Sequence, residues 1–237
     1  MQPIPVVLRP IPVPGRGGAT PAGAYQPDSL RLGQQSGAEA PPALRESFGL
    51  VPRTVVSKDG RPGDPINLVL LGSRDSITRL FQQAGWLPAD PLKAGTGFKM
   101  VLRTLDHKPY PTAPVSSLYL YKAEHRQDLA FERPTATTKV RDHIRIWDSG
   151  RVNAQGQAIW LAAATKDIGI ERNKEGLGPT HRIDPDVDAE RDLVGRSLVG
   201  AGATALGAWS RGPLAGRNGG GDPYTTDGRV LVLRAPV

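Results

Sequence analysis

Cysteine is absent from this 237-residue chain, which excludes disulfides, thiolate metal sites and cysteine nucleophiles. Aromatic residues make up only 5%, which leaves little for stacking exposed bases. No apolar run approaches the roughly 18 residues of a membrane-spanning helix. The opening MQPIPVVLRPIPVPGR has prolines throughout its short apolar run and no basic segment before it, so it does not read as a signal peptide. As given, the chain reads as soluble, cytoplasmic or peripheral to a membrane. Several motifs are missing too: HExxH, GxSxG and the phosphate loop GxxxxGK[ST]. Gly200, Gly202 and Gly207 end a predicted helix instead of following a strand, so they form no dinucleotide fingerprint.

Positive charge is present in excess. Thirty Lys and Arg face 23 Asp and Glu, for a net charge of +7 and a pI near 9.9. That balance favours anionic partners: nucleic acid, acidic lipid headgroups or acidic glycans.

Proline and glycine crowd residues 1–63, from PIPVVLRPIPVPGRGG to Ala40–Pro42, and predict an extended tail or linker. Its IPVP pieces suit polyproline II. The folded domain is expected over 64–237. Ile66–Leu71 is an apolar run suited to a strand covered on both faces. Ile77, Leu80, Phe81 and Ala84 then mark one face of a helix, capped by Ser73 or Asp75 and ended by Gly85. Short strands are expected at Phe98–Thr104, Ser117–Tyr121 and Asp128–Glu132. In Lys139–Trp147 the residues His143, Arg145 and Trp147 alternate with Ile144 and Ile146, which sets the charged side toward solvent. Asn153–Gly156 is a hairpin turn into the long apolar run Gln157–Ile170. A second helix spans Pro185–Ala201, with Asp184 as cap and Pro185 in its first position. Arg211–Asp222 reads as a glycine-rich mobile loop and Arg229–Arg234 as a last strand. Together these predict a two-layer α+β domain, a mostly antiparallel or mixed sheet with two main helices.

Five segments in order resemble the LssY C-terminal domain family: DPINLVLLGSRDSITRLFQQAGW, PVSSLYLYKAEHRQDLAFER, RDHIRIW, KDIG and THRIDPDVDAERD, across roughly residues 64–208. Members of that bacterial family are often fused to multi-pass membrane segments, including type 2 phosphatidic acid phosphatases. The resemblance therefore implies cell-envelope association. It supplies no reaction, and the phosphatase signature itself is absent here.

Candidate chemistry centres on THRIDPDVDAERD (Thr180–Asp192). All four histidines, His107, His125, His143 and His181, fall within the domain. His143, Asp167, His181 and Asp184 are the candidate catalytic residues, an imidazole–carboxylate set suited to acid–base work. The cofactor is left open. A divalent metal such as zinc would need His143, His181 and one of Asp167, Asp184 or Asp188. A calcium loop starting at Asp184 fails, because Ala189 and Gly195 stand where it needs Gly and Glu. Arg126, Arg141, Arg145 and Arg191 are candidate anion-binding residues, with pairing to neighbouring carboxylates as the alternative. Three functions follow. The first is an envelope-associated accessory or binding domain for an anionic ligand or partner: a membrane protein, lipid or glycan. The second is a hydrolase, metal-dependent or not. The third is nucleic-acid binding, supported by charge alone.

Overall fold

The structure is a computed structural model. It describes residues 38–89, 117–121, 124–135, 140–172 and 179–237, with the backbone alone at 134, 170–172 and 179–181. The expected strand at Phe98–Thr104, His107 and residues 1–37 lie outside the described residues.

An apolar run with no polar alternation must be covered on both faces, and β3 (Leu68–Leu71) is buried at every residue. It pairs in parallel with β14 (Arg229–Arg234) and antiparallel with β9 (Ala158–Arg172), Leu70 standing opposite Trp160. β9 turns back from β8 (Arg141–Val152) at the expected Asn153–Gly156 turn, where Gly156 takes φ 74°. β7 (Leu129–Pro134) and β4 (Leu87–Pro88) extend the sheet to one edge, and β11 (Thr204–Ser210) ends the other. β10 (Pro179–Ile183) pairs with the far half of β9. Asn67 marks the place where β3 begins: its amide exchanges two 2.9 Å bonds with the Ala164 backbone.

Two helices cover one face of this eight-stranded sheet. The first, Arg74–Gln83, starts at Ser73, whose hydroxyl accepts from Ser76 N at 3.1 Å. It buries Ile77, Leu80 and Phe81, and Phe81 stacks on Phe131 at 4.4 Å. The second, Val187–Gly200, packs Val194 and Leu198 into the same core. The predicted α+β class, with a mixed sheet and two main helices, is what forms. The cap of the second helix moves: Asp186, not Asp184, accepts from Asp188 N and Ala189 N, both at 3.2 Å.

The opposite face departs from the expected tail. Residues 38–63 fold, giving α1 (Pro42–Ser47), β1 (Thr54–Val56) and β2 (Pro62–Pro65). The last two join β5 (Tyr119–Leu120) and β6 (His125–Arg126) in a four-stranded sheet. We label the two larger helices α2 and α3 accordingly. The cause is the second apolar face of the main sheet. Val69, Leu71, Ile159, Leu161 and Val232 point away from the helices and are covered by Phe48, Val51, Val55 and Leu120. Scattered prolines shorten the elements of this layer without stopping its apolar residues from being buried. Residues 38–40 also shield β11: Ala208 N donates to Ala38 O at 3.1 Å and Ala40 N to Ala208 O at 2.9 Å. Gly207, at φ 109°, admits that approach, since a Cβ there would lie 2.6 Å from Ala38 O.

Arg211–Asp222 also differs from expectation. It contains β12 (Leu214–Arg217), paired with β13 (Pro223–Thr226). Gly216 gives the Tyr224 ring its place, since a Cβ there would sit 2.9 Å from the hydroxyl oxygen.

Phe48 is fully buried in the layer contributed by residues 38–63. Phe48→Ala is expected to destabilise the domain by about 3–5 kcal/mol, read as a lower urea midpoint; an unchanged midpoint would mean that this layer is not part of the cooperative fold.

Candidate functional site

Alternation along β8 sends Arg141, His143, Arg145 and Trp147 to the face covered by the small sheet. That face was expected to be wet, and it is dry: His143 is 4% and Arg145 5% exposed. A buried charge must bring partners, and the register supplies them. Arg141 stands opposite Asp167, and His143 opposite both Thr165 on β9 and Glu132 on β7. Asp64 comes from the covering layer. Arg145 Nη1 donates to Asp64 Oδ2 at 2.8 Å and to His143 Nε2 at 2.9 Å. Arg141 lies 3.3 Å from Glu132 Oε2 and 3.8 Å from Asp167 Oδ2.

The His143 tautomer follows from its neighbours. A guanidinium has only donors, so Nε2 presents its lone pair to Arg145. Thr165 Oγ1 stands 2.8 Å from the same nitrogen. The ring proton of the neutral imidazole is then on Nδ1, which faces Asp167 Oδ1 at 3.6 Å. Burial pushes the Asp167 carboxyl from 3.8 to about 7, against the pull of Arg141 and Arg145. Burial likewise raises Asp64, against the pull of Arg145. Asp167 is therefore placed to exchange a proton near neutrality.

THRIDPDVDAERD resolves into separate structural tasks. Asp184 accepts from Asp186 N at 3.0 Å and shapes the turn before α3. Asp186 caps the helix. Arg191, 1% exposed, pairs with three carboxylates: Asp188 at 3.0 Å, Asp192 at 2.9 Å and Asp227 at 2.8 Å. It also donates to Arg229 O at 3.0 Å. Burial pulls the guanidinium down, yet those carboxylates more than reverse the pull and hold it charged. Asp188 also accepts from Thr226 Oγ1 at 2.6 Å and Asp227 N at 2.7 Å, which ties α3 to the β13–β14 turn. Glu190 is buried against the other face of β8. Burial, then the charge of Asp142, hold its carboxyl well above the usual range. Asp142 Oδ2 takes Arg133 Nη2 at 3.1 Å, and Arg133 in turn lies over the Trp86 ring at 5.6 Å.

The fold thus brings His143 and Asp167 together. Asp184 Oδ1 accepts within its own turn and its N–H donates to Lys166 O at 2.8 Å, but no hydrogen bond or ion pair joins its carboxylate to that pair among the described residues. His181 stands opposite Ile170 in the β9–β10 ladder, and its side chain lies outside the described atoms. Among the described residues no group of three or more His, Asp or Glu is arranged to hold a metal ion. Of the four candidate arginines, Arg141, Arg145 and Arg191 face carboxylates. Arg126, on β6, is half-buried and makes no ion pair among the described residues. His125 pairs with Asp128 at 2.8 Å. Asp64, Glu132 and Thr165 complete the cluster unforeseen, as do Asp142 and Glu190 on the other face. Strand parity was the available signal for Thr165 and Glu132, which share a face with His143 once the strands pair.

The family model described as LssY C-terminus matches residues 48–230. The chain belongs to this family. The matched span takes in α2, α3 and both charged faces of β8, and it begins at Phe48, just after α1 and inside the layer formed by residues 38–63. No curated protein and no solved structure matches the chain. Among the described residues no helix is long and apolar enough to cross a membrane.

Two predictions test this electrostatic account. Arg191→Met leaves three carboxylates without their cation and is expected to cost about 3–5 kcal/mol of stability in chemical denaturation. A loss under about 1 kcal/mol would contradict the clamp. The folded Asp167 carboxyl titrates near 7 and the unfolded one near 3.8. Its stabilising contribution is therefore complete below about 3.8 and is lost as pH rises toward 7. Asp167→Asn should remove that part of the pH dependence, so wild type and variant should diverge between pH 4 and pH 7 in thermal melts. Parallel curves would refute the raised value.

Proposed function

We propose that this member of the LssY C-terminus family is an accessory binding domain of the cell envelope that takes an anionic ligand or partner. One observation carries the reading: the interior arginines Arg141, Arg145 and Arg191 meet carboxylates, while Arg53, Arg126, Arg151 and Arg211 have no carboxylate partner among the described residues, in a chain of net charge +7. A net positive chain attracts anionic partners. The kinship to chains fused with membrane segments supports the envelope setting.

A hydrolase reading has one observation in its favour, the Asp167 carboxyl near 7 beside His143. Against it, the imidazole lone pair is directed to Arg145 and Thr165, whereas a general base needs its lone pair open to the substrate proton.

The binding reading is tested with purified domain against phosphatidylglycerol vesicles, inorganic phosphate and a soluble anionic glycan over a salt series. At least one is expected to bind, with affinity falling as salt rises. Binding to none of them, together with turnover of ester substrates that Asp167→Asn abolishes, would replace this reading with the hydrolase.

A further inference from the structure

We infer that the loop following α1, residues 47–53, is a docking surface for an anionic lipid bilayer, with Leu50 as its apolar tip. The inference rests on the binding reading above and names the partner and the face.

Leu50 is 84% exposed, the most exposed large apolar side chain inside the folded body. A water-facing leucine at a loop tip carries no packing role. Around it stand three arginines: Arg151 and Arg211, bonded to carbonyls of this loop, and Arg53, on the loop itself and bonded to carbonyls beside Arg211. Arg151 Nε donates to Ser47 O at 2.9 Å, and Arg211 Nη2 to Val51 O at 3.2 Å. Arg53 closes the set, donating to Arg211 O at 2.6 Å and Gly212 O at 2.5 Å. Carbonyl bonds position a guanidinium and leave its charge unneutralised. None of the three has a carboxylate partner among the described residues, and the nearby exposed Glu46 pairs with none of them. Arg211 Nη1 is buried with no hydrogen-bond acceptor. Burial, then the neighbouring Arg53, pull the Arg211 guanidinium down to about 10, still charged at neutral pH; it lies over the Trp209 ring at 5.1 Å and meets no carboxylate among the described residues.

This differs from the interior, where Arg141, Arg145 and Arg191 each meet carboxylates. It also has the makings of an interfacial surface. Tyr121, 38% exposed, donates its hydroxyl to Leu50 O at 2.9 Å, an amphipathic ring beside an apolar tip. Val152, 60% exposed, follows Arg151. Gly49, at φ 67°, keeps the loop close to Arg151, since a Cβ there would lie 2.7 Å from the guanidinium carbon. A free phosphate would use the arginines and leave Leu50 idle. A bilayer uses both, with headgroup phosphates on the guanidiniums and the leucine among the acyl chains.

Leu50 is exposed, so Leu50→Ser leaves the core intact. Full-length protein is sedimented with vesicles of phosphatidylglycerol in phosphatidylcholine, with vesicles of phosphatidylcholine alone, and titrated with a soluble anionic glycan. Wild type is expected to bind the anionic vesicles, lose them at high salt and spare the neutral ones. Leu50→Ser should weaken vesicle binding about tenfold with glycan binding unchanged, and Arg211→Gln should weaken it with the melting transition checked in parallel. Leu50→Trp should restore binding, its fluorescence shifting blue on the vesicles. Vesicle binding unchanged by Leu50→Ser overturns the inference. So does an equal loss on glycan and vesicles, which would assign the face to a soluble macromolecule. Wild type that binds glycan or phosphate but no vesicle overturns the bilayer and leaves the broader binding reading standing. Binding to none of the three removes both.

Discussion

The β8–β9 hairpin is buried on both faces and flanked on both edges, and this confinement governs every charged group in the interior. β9 has β8 along one edge and β3 followed by β10 along the other. A charged residue near the middle of β8 therefore leaves water whichever way it points. An unpaired ion in such a place is too costly to persist. Arg145 accordingly draws Asp64 from the covering layer, and Arg141 draws Glu132 and Asp167 from the flanking strands. On the opposite face Asp142 takes Arg133, and its charge helps hold the buried Glu190 carboxyl above its usual range. Such pairs add little net stability over apolar packing, because desolvation offsets attraction. They bear on specificity: a register slip by one residue would turn Arg145 and His143 into the helix-side core and leave both faces with unmatched charge.

The same logic explains why α3 begins with so many acids. A helix needs only one or two carboxylates near its N-terminus to oppose its dipole. Asp186 meets that need. The others face inward, because α3 lies across the sheet at its charged end. Asp188 and Asp192 enclose Arg191, and Asp227 completes the clamp from the β13–β14 turn. Glu190 reaches the sheet, where burial raises its carboxyl. The acidic segment is thus the seam along which helix, sheet and last hairpin meet.

Periodicity exposed the skeleton. Ile77, Leu80 and Phe81 located α2, and the unbroken run at Ile66–Leu71 located a strand buried on both sides. The Asn153–Gly156 turn also revealed which strands pair. Counting back from it along an unbroken ladder sets His143 opposite Asp167. A bulge between Asp148 and Arg151 moves the partner to Thr165. The bulge shifts the register by two residues, so parity survives and His143 and Asp167 keep a common face, 3.6 Å apart. Other features had no local sign. The burial of His143 depends on a layer formed by residues 38–63, whose prolines and glycines read as linker. Asp64 and Asp227 are distant in sequence from the arginines they meet, and charge–charge pairing at long separation leaves no periodic trace. The β12–β13 hairpin was obscured by glycines that the Tyr224 ring requires.

What the interior can do is limited by the direction of one lone pair. Nε2 of His143 points at Arg145 and Thr165, deep against β9, and Nδ1 points at Asp167. Taking up a second proton at Nε2 would set a cation against the Arg145 guanidinium 2.9 Å away. The ring is thereby suited to donate toward Asp167 and unsuited to relay protons outward. Asp167 can exchange a proton near neutrality, at the end where Arg141 is 11% exposed. Asp167 is held there by the strand register, and its proton changes the balance of a cluster that spans β7, β8, β9 and the covering layer. Since the covering layer also carries the 47–53 loop through Phe48, Val51 and Val55, interior charge matching fixes the platform from which Leu50 and its arginines project.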